Sequence, residues 1–179
     1  MFESNDHILF GSPGTDVQLS TLHPQPGQIF KLWQIYLENV DPLLKVTHAP
    51  TLQPRVINAA GDVTNISPAL EALMFSIYCM ALLSLTDSEC MTSFASPKSA
   101  LMATYQYGCQ QALLKSTFLR SGERDCLTAL FLFLVSKSYC LYLILSLTSA
   151  DIGQAGDRSS LSILNAWPRF SYRRTHGYP

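Results

Sequence analysis

Ile29, Leu32, Trp33, Tyr36, Leu37 and Val40 recur at a 3.6-residue period, in a segment closed on both sides by proline. That spacing lines one side of an α-helix and fits no strand. Pro26 suits the first helical turn, where its missing N–H has no helical partner anyway. The helix must end before Pro42, because the residue preceding a proline is pushed out of the α region. A short helix can restart over Pro42 to Val46, and Ala49-Pro50 marks a second stop. None of the six striped residues can perform chemistry; they can only pack.

Further helices follow the same devices. Thr51 to Ala60 predicts a modest helix, with Pro54 tolerable only in its first turn. Ser67-Pro68 predicts a strong start, Ser67 capping and Pro68 taking the first position. The stretch after it, ALEALMFSIYCMALLSL, is apolar on nearly every face, as a buried central helix should be, with Glu71 as a polar flank. Ser96-Pro97 repeats the start, and Leu101, Tyr105, Cys109, Ala112 and Leu113 form the next stripe. Gly122 breaks the pattern before Asp125 opens another apolar helix. No segment alternates Val, Ile or Thr between turns, so no strand is predicted. The fold class is all-α, an irregular multi-helix domain.

Three parts emerge: a loose leader over 1–21, a helical domain over 22–135, and an apolar helix followed by an irregular tail over 136–179. Joined to the preceding helix, 126–149 is long enough to cross a membrane, interrupted by Lys137. A mid-span lysine costs about 2.5–3.5 kcal/mol on insertion scales. A membrane-associated protein anchored by 126–149 is therefore the second reading. Val135-Ser136-Lys137 is also what the first bases of an intron would encode, so a mis-spliced or shifted frame is another explanation for 136–179.

Net charge is −1 and charged residues make up only 14% of the chain, so the body offers no clustered positive face for nucleic acid. One basic cluster, Arg169, Arg173 and Arg174, lies in the irregular tail. The start of the chain carries Glu3 and Asp6 and matches neither a secretory signal nor a transit peptide. Cys79, Cys90, Cys109, Cys126 and Cys140 are odd in number and sit in apolar helices. They read as reduced core thiols in cytosol or nucleus.

Chemistry-bearing constellations do not form at this level. His7, His23, His48 and His176 are far apart, with no Cys-x-x-Cys beside them, so neither a metal nor another cofactor is expected in this chain. Gly11-Ser12-Pro13-Gly14 lacks the Gly-Lys-Ser/Thr of a phosphate loop and reads as a turn. No nucleophile elbow is present. His48 is expected to bond the last carbonyls of the short helix. Glu38, Asp41 and Asp62 read as solvated surface charge, and Arg120, Glu123, Arg124 and Asp125 as a mixed-charge turn with local ion pairs. Trp33, Tyr36, Phe75, Tyr78, Tyr105 and Tyr107 read as core. No catalytic, cofactor-binding or metal residue is assigned, and the chain is not expected to be an enzyme.

The runs LWQIYLENVDPLLKVTHAPT, ISPALEALMFSIYCMALLSL and YQYGCQQALLKSTFLRSGERDCLTALFLFL carry one resemblance. Over Leu22 to Val135 the chain resembles the middle homology region of fungal zinc binuclear cluster transcription factors. The resemblance implies a helical regulatory domain in a nuclear transcription regulator of metabolic or secondary-metabolite genes. In that family zinc is held by a separate six-cysteine module that contacts DNA; the five cysteines here lack its spacing. Direct DNA contact by this chain is accordingly not expected. Its partners would be proteins, or a second copy, met through helices. The family's helical domain continues past Val135, so Leu127, Leu130 and Leu134 should lack partners here.

Overall fold

The computed structural model describes residues 18–118 and 120–152, with side chains as far as Tyr142. A 3₁₀ turn over Leu19–Leu22 precedes seven helices: α1 (Pro26–Asn39), α2 (Asp41–Leu44), α3 (Ala49–Gly61), α4 (Pro68–Leu83), α5 (Asp87–Phe94), α6 (Lys98–Lys115) and α7 (Arg124–Ile152). Among the described residues there is no strand. The class is all-α, as the sequence predicts.

Residues 69–82 of α4 are all buried. Helices α1, α6 and α7 pack around it. A helix apolar on every side can only be stable when so surrounded. Its mid-helix serine, Ser76, donates through Oγ to the Leu73 carbonyl at 2.8 Å, so burying that hydroxyl leaves it paired. The α1 stripe lands as predicted: Ile29, Leu32, Trp33, Tyr36 and Val40 are buried, and Leu37 packs against them partly covered. Tyr105, Cys109, Ala112 and Leu113 of α6 are buried as well, with Leu101 at the margin.

Several expectations are corrected. The leader is not loose through Thr21: Leu19 is only 2% exposed, and its 3₁₀ turn packs on α6. The short α2 starts at Asp41, one residue before Pro42, and closes on Lys45, which takes the left-handed conformation at φ 48° and bonds the Asp41 carbonyl at 3.0 Å. Helix α3 starts two residues earlier than Thr51, so Pro54 lies beyond its first turn. Pro54 cannot bond the Pro50 carbonyl, but both residues are exposed and water can reach it.

Ser67 does occupy the cap position of α4, but without a side-chain bond to the backbone. Helix α5 was not anticipated. Most plainly, the boundary expected after Val135 falls inside α7, which runs unbroken to Ile152. Ser136, just past that boundary, is fully buried and donates to the Phe133 carbonyl at 2.7 Å. Residues 1–17 and 153–179, with His7, the Gly11–Gly14 turn, His176 and the Arg169, Arg173, Arg174 cluster, lie outside the described residues.

Candidate partner-binding face

Helix α7 is two-faced. Cys126, Ala129, Leu132, Phe133 and Ser136 are buried, on the side that meets α4 and α6. On the other side Leu127 is 59% exposed, Phe131 45%, Leu134 51%, Leu141 57% and Tyr142 64%. Of the three leucines expected to lack partners, Leu127 and Leu134 do stand in solvent, whereas Leu130 is partly buried against the core. Such a run of large apolar side chains on one side of a helix is unusual for a surface that meets only water.

The start of α7 is tied down from a distance. Asp125 accepts a hydrogen bond from the guanidinium of Arg55 on α3, and Glu123 N–H donates to Ser121 Oγ at 3.2 Å. The mixed-charge turn is thus tied to α3 by a long-range ion pair that the sequence did not suggest. Lys137 lies beside the apolar face with its ammonium 5.5 Å from the Phe133 ring centre, a cation–π contact that keeps the charge out of the core.

A small apolar cavity flanks the face, lined by Val40, Met80, Leu83, Ser84, Val135 and Tyr139. At about 30 Å³ it holds roughly one water, far below the several hundred Å³ of a metabolite site. The Ser84 hydroxyl in its lining is already engaged: Oγ donates to the Ala81 carbonyl at 2.7 Å and accepts from Asn39 Nδ2 at 3.0 Å. Among the described residues one helix, α7, is long and apolar enough to cross a membrane by length and composition. Its inner face is occupied by α4 and α6, so lipid could surround it only if that packing came apart.

The polar residues considered as sites are dispersed. Asp41 is not solvated; it is 7% exposed and accepts from Lys45 Nζ at 3.1 Å and Thr47 Oγ1 at 3.0 Å. Thr47 Oγ1 lies 3.2 Å from the Tyr36 hydroxyl, so the three residues form one short chain at the α1–α2 joint. Burial is the main cause that lifts the Tyr36 phenol above its usual range. Glu38 and Asp62 are exposed. Asp62 Oδ1 accepts from Thr64 Oγ1 at 2.6 Å and Thr64 N at 3.1 Å, bonds that hold its carboxyl below the usual range. His48 occupies the position before α3, with no side-chain bond to the helix backbone; its Nδ1 lies 3.1 Å from Thr51 Oγ1.

One buried polar cluster escaped the sequence reading. The His23 ring stacks over Phe75 at 4.3 Å, with Nδ1 3.3 Å from the Tyr78 hydroxyl and Nε2 3.6 Å from Glu71 Oε1. Its side chain is 1% exposed and that of Glu71 10%. Glu71 is therefore not a polar flank but the buried anchor of the N-terminal turn on α4. With both side chains almost fully covered, the pair fastens the N-terminal turn to α4. All five cysteines are thiols, and four are buried. Among the described residues no group of three His, Cys, Asp or Glu side chains converges as metal ligands would.

Comparison with known proteins gives the chain its relatives. It is 61% identical over 134 residues to the transcriptional regulator AacuB of Aspergillus aculeatus, a match covering 75% of this chain. Over its matched part, the chain is similar to a region of fungal zinc-cluster transcription factors. The family resemblance extends to the transcriptional regulator nsrM of Aspergillus novofumigatus, 53% identical over 76% of the chain. It also reaches the aurofusarin cluster transcription factor aurR2 of Gibberella zeae, 36% identical over 84%. The chain spans about a fifth of the length of these family members: 18% of the first, 19% of the second and 24% of the third. No family-wide sequence profile and no solved structure matches it.

Proposed function

We propose that this chain acts in the nucleus as the helical regulatory part of a fungal transcription regulator, controlling a secondary-metabolite gene cluster. It works by association with other proteins and not as an enzyme. The observation that carries the reading is 61% identity over 134 residues to a transcriptional regulator. Two further relatives are named for the metabolite clusters they serve, aurofusarin and pyriculol/pyriculariol. A core so closely shared preserves the helix packing on which a regulatory surface is mounted.

The geometry supports the same conclusion from below. The cavity beside α7 is too small for a substrate, and the His23–Glu71 pair is almost fully covered. What the chain offers to its surroundings is the apolar side of α7. Neither zinc nor direct contact with DNA has a part in the role proposed for this stretch.

Deleting the gene and profiling transcripts under metabolite-producing conditions tests the reading. A collapse or rise of a co-located biosynthetic gene set is expected. Unchanged transcripts across the neighbourhood would overturn it, as would a carbonate-resistant membrane pellet holding the whole pool of the protein.

A further inference from the structure

We propose that Ser67 is a modification site, phosphorylated by a proline-directed serine/threonine kinase, and that the added phosphate caps α4. The inference goes beyond the regulatory reading and does not depend on it. Ser67 is the last residue of the loop over 62–67 that joins α3 to α4, and both it and Pro68 are exposed. Its backbone is extended, at φ −64° and ψ 141°, the form that a following proline favours. A kinase cleft that offers no acceptor to the next residue's N–H admits proline without loss. Any other residue would leave its amide unpaired there, and that difference is how such an enzyme selects Ser-Pro.

The hydroxyl is available. Of the two hydroxyls in the loop, Thr64 Oγ1 donates to Asp62 Oδ1 at 2.6 Å, whereas Ser67 makes no capping bond. The other described Ser-Pro differs: Ser96 is half-buried, and Pro97 itself is the cap residue of α6. In the transfer, Ser67 Oγ attacks the γ-phosphorus of ATP, and the bond to the β–γ bridging oxygen breaks. ADP leaves, and the hydroxyl proton passes to the kinase's catalytic carboxylate. The phosphate then meets donors that lack acceptors. Pro68 has no N–H, and the first-turn amides of Ala69 and Leu70 have no helical acceptor. These two residues are 4% and 8% exposed, and Ser67 Oγ accepts from neither. At α5 the equivalent place is filled, since Thr86 Oγ1 accepts from Glu89 N. Three phosphate oxygens are stronger acceptors than a hydroxyl and lie at the positive end of a 16-residue helix. Glu71, the acid of that first turn, is directed at His23.

The test incubates the folded full-length chain with a mitogen-activated protein kinase and ATP, then locates the label by tandem mass spectrometry. One phosphoryl group on Ser67 is expected. Ser67→Ala should lose it with unchanged helicity by circular dichroism; should that variant unfold, Ser67→Asn keeps a good cap residue and must lose the label equally. Pro68→Ala should slow labelling at least about tenfold, the worth of one unpaired amide. Ser96→Ala should be labelled on Ser67 as the wild type is. The phosphorylated chain should unfold at a higher urea concentration than the unmodified one. No label on the folded chain, a label on Ser67 only after denaturation, or Pro68→Ala labelled as fast as wild type each overturns the site. A lower urea midpoint after phosphorylation overturns the capping role.

Discussion

Gly108 lies against the ring of Phe75 so closely that a Cβ built on it would stand 2.8 Å from Cε1 and 2.9 Å from Cδ1 and Cζ. This contact sets how near α6 can come to α4. Phe75 is fully buried and has His23 stacked on it, so the ring has no free space into which to retreat. Gly108→Ala should therefore destabilise the fold by about 1–3 kcal/mol through overpacking. Urea denaturation followed by circular dichroism reads this directly. Adding Phe75→Leu should recover part of the loss, and strictly additive effects would show that the two residues do not compete for one space.

Helix α5 depends on its cap. Thr86 Oγ1 accepts from Glu89 N at 3.3 Å, while Glu89 Oε2 accepts from Thr86 N at 2.8 Å, a reciprocal capping box. Thr86→Ala should cost about 1 kcal/mol. Glu89→Ala made on top of it should cost much less than it does alone, because the box is already open. Equal costs in both backgrounds, measured by urea midpoint, would mean that the two bonds act independently.

Ala95 closes α5 in the left-handed conformation, at φ 52°, and is exposed. An alanine there is strained by its Cβ, whereas glycine is not. Ala95→Gly should raise stability by roughly 0.5–1 kcal/mol, after allowing for the extra freedom of glycine in the unfolded chain. A lower thermal midpoint in the variant would refute this account of the C-cap.

The parts of the fold legible in the sequence are those whose cause is local. The α1 stripe needs only the period from Ile29 to Val40, and the buried state of α4 follows from a run with no charge after Glu71. Helix α5 was legible too, through Thr86 and Glu89 three residues apart, but only two of its residues, Cys90 and Phe94, are buried. A search for apolar stripes passes over it. What could not be read is pairing across the chain. Arg55 and Asp125 are 70 residues apart, and His23 reaches Tyr78 across 55. A charge whose partner arrives from so far looks local or marginal in the sequence, which is how Asp125 reads as part of a turn with local ion pairs and Glu71 as a polar flank. The binding face was half visible: the spacing of Leu127 and Leu134 showed a stripe, while which side meets α4 depended on the packing itself.

Alkaline pH should weaken this fold from about pH 9 upward. Cys79 and Cys109 are fully buried in α4 and α6, and burial is the largest cause lifting both thiols above their ordinary 9.0. Burial also raises Tyr78, and it pushes Tyr105 up to about 12. Below about pH 9 these groups are protonated in both states and add no slope. Above it the unfolded chain releases protons that the folded chain keeps, so the equilibrium moves toward unfolding as pH rises. Each such thiol contributes about 1.4 kcal/mol per pH unit, and the tyrosines steepen the fall beyond about pH 10. Urea midpoints under reducing conditions at about pH 8, 9 and 10 measure the slope. Cys79→Ala should lower stability at every pH but flatten the alkaline limb by about one thiol's share. A limb equally steep in that variant would show that the Cys79 proton is not what folding retains.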